Sequence, residues 1–261
     1  MRLERHMQLA EAQLLAERLE QNARVEYAEP VRRMKPELAP NDPYYAGFWN
    51  GRWYGQWPYW DYYGGINLEP AWDITTGSSA VVIGIIDTGL LPSHPDLLGR
   101  TVGGYDMVTD VTSAGDGNGR DGDPTDPGNY CGTTPSDWHG THVAGTIGAS
   151  SNNGIGVAGV NWVSKLLPVR ALGRCSGSSV DVIDSIRWAA GLSVGTLPLN
   201  SHRADVINMS LGTPGTCSTA LQAAINDALG AGASIVVAAG NDGQLASQYS
   251  PASCSGVIVV H

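Results

Sequence analysis

Three segments of this 261-residue chain each carry a side chain suited to acyl-transfer chemistry. Val81-Val82-Ile83-Gly84-Ile85-Ile86-Asp87-Thr88-Gly89 reads as a buried strand that delivers a carboxylate at its C-terminal end. His139-Gly140-Thr141-His142-Val143-Ala144-Gly145-Thr146 reads as a helix start carrying an imidazole. Ala238-Ala239-Gly240-Asn241-Asp242-Gly243 supplies a side-chain amide after a further strand. A serine hydroxyl is a poor nucleophile at neutral pH: it needs a base, and the base needs a carboxylate to fix its tautomer and stabilise the imidazolium. Asp87 and His139 have those chemistries in a workable order, and Asn241 would donate to the oxyanion of a tetrahedral intermediate. Losing such a donor costs about 3–4 kcal/mol of transition-state stabilisation. His139 is taken as the base because it opens the helix, and His142 as a structural residue within it. Taken singly, each signal is ordinary: an Asp after a strand serves turns and caps, and Gly-Asn-Asp-Gly is a good turn.

The serine itself is missing from this pattern. No serine block suited to nucleophilic attack follows Asn241 in these 261 residues. Gly215-Thr216-Cys217-Ser218-Thr219-Ala220 is interrupted by a cysteine and precedes Asn241, so Ser218 is not assigned as nucleophile.

The elements that must position these groups alternate along the chain from Ala80. Strands are expected at 81–87, 101–107, 164–169, 205–209, 234–239 and 257–260, and helices at 139–149, 179–191 and 218–231. Short apolar runs alternating with helices imply an α/β fold with a parallel sheet, whose functional residues collect at the carboxyl ends of the strands. Asp87 and Asn241 both fall there.

Composition changes near residue 40. Residues 1–40 hold no Gly, Asp or Cys and balance seven basic against seven acidic residues. The remainder carries all 34 Gly, all four Cys and the whole net charge of −10. That acidic balance argues against a nucleic-acid role, which needs a basic face. No apolar run approaches the length of a membrane span, and the first residues open no signal peptide. A helix is expected over Glu4–Gln21 and a short strand over Val25–Pro30, too little to bury a core alone. Residues 41–70 are rich in turns and aromatics: Tyr44, Tyr45, Trp49, Trp53, Trp57, Tyr59, Trp60, Tyr62 and Tyr63. They read as an irregular segment clamped onto a domain surface, ahead of a capped helical turn at Asn67–Asp73.

Residues from about 25 to 260 resemble the subtilisin-like peptidases (subtilases) of the secreted bacterial type. The segments that carry the likeness are Ile86-Asp87-Thr88-Gly89 with Ser93-His94-Pro95-Asp96-Leu97, His139 to Thr146, Asn208-Met209-Ser210-Leu211-Gly212 and Val236 to Asn241. The resemblance implies a three-layer fold around a central parallel sheet, incomplete at the C-terminus and preceded by a partial prodomain. It implies peptide-bond hydrolysis, with Ser210, Leu211 and Gly212 pairing with substrate backbone and Ala238, Ala239 and Gly240 lining the primary side-chain pocket. Residues 1–39 resemble the C-terminal part of an inhibitory prosegment, with autocleavage near Ala39-Pro40, and 40–261 a partial peptidase domain. The family's Gly-Thr-Ser-x-Ala block is expected roughly 65 residues beyond the oxyanion Asn, past His261, so the chain alone is expected to be inactive. The implied protein is a secreted, extracellular monomer that acts on proteins or peptides, is restrained by its own prosegment, and has its signal peptide outside this chain. The rival is a non-catalytic peptide-binding pseudoprotease that keeps the cleft and lacks the downstream serine block.

The spacing of Asp87 and His139 is longer than the roughly 30 residues of subtilisin. The excess is an acidic glycine loop from Asp116 to Asp126. Its hard oxygens suit calcium, with Asp121, Asp123 and Asp126 as ligands, although such a loop is often simply solvated. The resemblance implies a second structural calcium on Asp96, the Asn153 side chain and the carbonyls of Ser151, Ile155 and Val157, with Gln56 as a further ligand. The lack of paired C-x-x-C spacing argues against zinc. Cys131 precedes the histidine helix and Cys175 follows the 164–169 strand, while Cys217 and Cys254 flank the Asn241 strand. Cys131–Cys175 and Cys217–Cys254 are therefore the expected disulfides, against the alternative of four buried thiols.

Overall fold

A computed structural model describes residues 9–28, 39–45, 48–49, 52–53, 56 and 65–261. The chain divides into two units, Met1–Glu37 and Leu38–His261. In the first, helix α1 spans Leu9–Glu20, and residues 4–8 of the expected helix lie outside the described residues. The expected strand is not seen over 25–28. Its amides turn back locally instead, Val25 N to the Asn22 carbonyl at 2.8 Å and Ala28 N to Glu20 Oε1 at 3.0 Å. Glu29 and Pro30 lie outside the described residues.

The second unit opens with two-residue strands β1 (Phe48–Trp49) and β2 (Arg52–Trp53), paired antiparallel, and the short helix α2 (Leu68–Trp72). Asn67 stands before α2 in a left-handed conformation and makes no side-chain cap bond, contrary to the capped turn expected there. The clamp expected of the aromatic segment is seen at its start. Tyr45 is 1% exposed, its ring is 5.7 Å from Trp72, and Trp72 lies 5.1 Å from Trp162. Trp57, Tyr59, Trp60, Tyr62 and Tyr63 lie outside the described residues.

Six parallel strands form the central sheet: β3 (Val82–Asp87), β4 (Tyr105–Asp106), β5 (Lys165–Arg170), β6 (Val206–Met209), β8 (Ser234–Ala238) and β10 (Ile258–Val260), in the order β10-β8-β6-β3-β5-β4. A separate antiparallel pair joins β7 (Thr213–Pro214) to β9 (Tyr249–Ser250). The helices are α3 (Val111–Ala114), α4 (His139–Gly148), α5 (Ser179–Ala189) and α6 (Thr219–Gly230). Five of the expected strands and all three expected helices recur within two residues of their expected ends. The sixth strand is cut short. Gly103 and Gly104 adopt positive φ, so only Tyr105–Asp106 pairs continuously with β5, and Thr101 touches it as an isolated bridge. Ser218 caps α6, its hydroxyl accepting from Leu221 N at 3.2 Å, in keeping with its rejection as a nucleophile.

β3 is apolar on both faces because both are covered. Ile83 and Ile85 pack with Leu166 and Ala144 on the α4 side. Ile86 belongs to the larger cluster on the α5 and α6 side, with Leu167, Val169, Ile186 and Ile207. Strand side chains alternate between faces, so one strand anchors both layers, and each fully buried aliphatic contributes about 1.5–3 kcal/mol. The sheet therefore holds the end of β3 in place from two sides. Cys131–Cys175 and Cys217–Cys254 form the expected disulfides, with sequence separations of 44 and 37 residues. In the chain-entropy account, loops of that size stabilise by about 4 kcal/mol each.

Candidate active site

Asp87 is the last residue of β3 and fully buried, and its Oδ1 lies 2.7 Å from His139 Nδ1. Oδ1 also accepts from Thr88 N at 2.7 Å, whereas Oδ2 is buried without a hydrogen-bond partner among the described residues. The His139 side chain is 41% exposed, so its Nδ1 edge is held inside while much of the ring stays accessible. Donation of a hydrogen bond to Asp87 raises the His139 pKa above the ordinary 6.5; partial burial opposes the shift, and the charges of Asp87, Asp137 and Asp126 reinforce it. A carboxylate on Nδ1 leaves Nε2 of the neutral ring free to take a proton.

Three local devices set that distance. The Thr88 hydroxyl donates to Asp126 Oδ2 at 2.7 Å and accepts from Gly140 N at 3.0 Å, so it ties the end of β3 to the first turn of α4. A Cβ on Gly140 would run into the Gly89 carbonyl oxygen, so only glycine lets the helix approach this closely. Trp138, immediately before α4, is left-handed and offers no cap, and Asp137 Oδ1 instead accepts from His139 N at 3.2 Å.

Asn241 follows the C-terminal end of β8 by three residues and is exposed. Ser210 leaves the C-terminal end of β6, the strand between β3 and β8. With strands about 4.8 Å apart, β8 runs roughly 10 Å from β3 at the same edge of the sheet. Asp87, Ser210–Gly212 and Ala238–Asn241 thus share one rim. Ser210-Leu211-Gly212 is not itself a strand; pairing resumes at Thr213, whose partner is Ser250. Gly212 and Gly240 both lie against the ring of Tyr249, a residue that sequence reasoning did not single out.

The acidic loop is organised differently from the expected calcium site. Asp126 is 1% exposed and gives its oxygens to Thr88 and to Gly128 N, making it a positioning residue behind the Asp87–His139 pair. Asp121 accepts from Asn118 Nδ2 and Asp123 N, and Asp123 accepts from Thr125. Arginines supply the compensating charge. The buried Arg170 pairs with Asp106 and Asp116, and Arg120 with Asp181 and Asp184 at 2.6 and 2.7 Å. Even so, burial pushes the Asp106 carboxyl up to about 7. Asp121, Asp123 and Asp126 do not gather around one point: among the described residues no three acidic, histidine or cysteine side chains stand close enough to hold a metal.

Of the second set, Asp96 meets Asn153 and Val157. Asp96 is 3% exposed, with Oδ2 accepting from Val157 N at 2.8 Å and Oδ1 3.4 Å from Asn153 Nδ2. Gln56 pairs with the Ala158 backbone through both ends of its amide, Nε2 donating to the carbonyl at 2.5 Å and Oε1 accepting from the amide at 2.6 Å. Asp42 is the carboxylate that sequence reasoning missed. It is 3% exposed, accepts from Asn152 N at 2.6 Å, and its Oδ1 has no partner among the described residues. Burial raises its pKa, and the charge of Asp96 adds to the effect. Asn41-Asp42-Pro43 looked like a turn, and no local pattern marks which turn acid is buried against a loop 110 residues away.

The profile of the subtilase family matches residues 78–261, which include the Asp87–His139 pair and Asn241. The chain belongs to the subtilase family. It is 44% identical over 268 residues to an extracellular protease of Xanthomonas campestris, covering 99% of this chain and 44% of that protein. It is 41% identical to an extracellular basic protease of Dichelobacter nodosus, covering 96% of this chain and 42% of that protein. Among solved structures, a protease from Pseudoalteromonas arctica superposes with a TM-score of 0.78 at 48% identity, over 84% of this chain and 64% of that one. The chain thus spans under half the length of the two curated relatives.

In this subtilase the approach of α4 to β3 rests on Gly140, which gives a direct test. Gly140→Ala is expected to lower stability by about 1–3 kcal/mol, since backbone rather than a flexible side chain must yield. Urea unfolding measures it, and an unchanged midpoint would contradict the close approach.

Proposed function

We propose that this chain forms part of a secreted serine endopeptidase whose nucleophile lies beyond His261. The observation that carries the reading is the 2.7 Å contact between buried Asp87 Oδ1 and His139 Nδ1, on a fold whose relatives bear protease names. His139 Nε2 takes the proton of the serine hydroxyl as it attacks the peptide carbonyl, then returns it to the leaving amine. Asp87 holds the Nδ1–H tautomer and stabilises the imidazolium. Asn241 donates to the oxyanion from beyond the end of β8, two strands from β3, and Ser210-Leu211-Gly212 presents backbone to the substrate. Residues 1–39 act as the C-terminal part of an inhibitory prosegment released near Ala39-Pro40. The mature enzyme works outside the cell as a monomer, where its two disulfides persist.

A serine-directed fluorophosphonate tests this. The complete protein is expected to take up one label, on a serine after residue 261, and to lose it in His139→Ala. Residues 1–261 alone are expected to take up none. Label on a serine within 1–261, or none on the complete protein, contradicts the proposal. In peptide hydrolysis Asp87→Asn is expected to lower kcat about 10⁴-fold. The raised His139 pKa places the acid limb of kcat/KM above pH 6.5, with activity lost as pH falls through it because the protonated ring is no base.

The chemistry around Asp96 fits calcium. Two buried carboxylates, one with an oxygen that has no partner among the described residues, stand beside the 151–157 loop, a hard donor set that suits calcium. Asp42, Asp96, the Asn153 side chain and the carbonyls of Ser151, Ile155 and Val157 would hold the ion, which fastens residues 151–157 to the segment carrying Asp42. Saturating calcium is expected to raise the melting temperature by about 5–10 °C over chelated protein. Asp42→Asn removes the repulsion, so it is expected to raise the chelated value while shrinking the calcium increment. An unchanged increment in Asp42→Asn contradicts the assignment.

A further inference from the structure

Arg170 ends β5 beside the end of β3, and its register partner there is Asp87. On its other side Arg170 is paired with Asp106, the last residue of β4. Register partners in a parallel sheet project from the same face. The row one step back fits this: Ile86, Val169 and Tyr105 all lie in the cluster on the α5 and α6 side. Asp106, Arg170 and Asp87 therefore form a row on the α4 side, a guanidinium between two carboxylates, none more than 1% exposed.

The guanidinium is tied to the acidic loop as well as to the row. Nη1 donates to Asp106 and to Asp116 Oδ2, the latter at 2.6 Å, and Nη2 donates to the Ala114 carbonyl. Those bonds fasten the start of the loop whose far end, Asp126, holds the Thr88 hydroxyl. A Cβ on Gly89 would lie 3.2 Å from Arg170 Cδ, so the turn after Asp87 runs against the arginine stem. Arg170 Nε is buried without a partner among the described residues, as is Asp87 Oδ2. Burial pushes the Asp106 carboxyl up to about 7, against the bond from Val108 N and the charge of Arg170. Burial also raises the Asp126 carboxyl, opposed by bonds from Thr88 and Gly128 and again by the charge of Arg170. One buried cation thus stands among Asp87, Asp106, Asp116 and Asp126.

We propose that Arg170 is a positioning residue for the Asp87–His139 pair, its charge beside Asp87 limiting how tightly His139 holds a proton. Its consequence for catalysis rests on the peptidase reading; its effect on His139 does not. The argument is one of charge balance. His139 faces Asp87 at the end of β3, Asp137 before α4 and Asp126 in the loop, and each favours the protonated ring. A cation one strand from Asp87 works against all three, so the ring stays a base closer to neutral pH. Arginine suits the place because its fork reaches two acids at once, which also secures the loop behind Thr88.

The test follows His139 in two ways in the complete protein: the acid limb of kcat/KM on a tetrapeptide p-nitroanilide, and the imidazole proton NMR titration. Arg170→Met keeps most of the stem and removes the charge, so both inflections are expected to rise by about half a pH unit or more. Arg170→Lys restores the charge without the fork. It is expected to return both inflections to within about 0.2 unit of wild type, although its melting temperature falls. Asp116→Asn, at an exposed residue, removes an acid from the far side of the guanidinium and is expected to lower both. Circular dichroism shows which variants fold; should Arg170→Met unfold, Arg170→Lys and Asp116→Asn decide the matter. Inflections unmoved in Asp116→Asn, or displaced upward in Arg170→Lys as in Arg170→Met, overturn the role of the charge and leave the peptidase reading intact. A wild type that hydrolyses nothing overturns the peptidase reading, and the NMR titration still decides the role of Arg170.

Discussion

The hydrogen bond between Asp87 and His139 depends on a charge kept where charge is expensive. Asp87 ends the innermost apolar strand, and an unpaired carboxylate there would cost several kcal/mol. Its surroundings answer through Thr88 N and His139 Nδ1, on one oxygen only. The imidazole is thus an electrostatic partner of the fold as well as a base. The two-sided packing of β3, the close approach at Gly140 and the Thr88–Asp126 bond all serve to keep that partner in reach.

The acidic loop between the two residues solves a related problem with different chemistry. Its carboxylates would suit a calcium ion, yet Arg170 and Arg120 reach into the region and take the neighbouring acids as partners. A guanidinium offers several donors in a fixed fork and cannot be deprotonated, so it can hold loop and sheet together without a metal. Around Asp96 no such cation stands among the described partners of Asp42 and Asp96, and one Asp42 oxygen is left unpaired. Similar compositions therefore arrive at two different ways of neutralising buried acid.

Much of this was legible in the sequence. Five of the six sheet strands and the three long helices announced themselves through apolar runs and periodicity, and Asp87 and His139 through their neighbours, because those signals are local. What stayed hidden was non-local. Asp126 read as a calcium ligand because nothing in its own segment shows that it faces the Thr88 hydroxyl. Asp42 read as a turn residue, and Gln56 as a ligand, because their partners at Asn152 and Ala158 lie over a hundred positions away. Tyr249 drew no notice because its contacts are with two glycines on other segments. The strand expected at 101–107 failed for a local reason that was visible, the Gly103-Gly104 pair, whose backbone leaves the extended region.

The central claim is that this chain holds a preformed, carboxylate-coupled imidazole before any nucleophile arrives. The most direct measurement is an imidazole proton NMR titration of His139 in residues 1–261, assigned by loss of the signal in His139→Ala. The account predicts an inflection above pH 6.5 that falls in Asp87→Asn, because removing the carboxylate removes what favours the protonated ring. An inflection at or below 6.5 that Asp87→Asn leaves in place would contradict it.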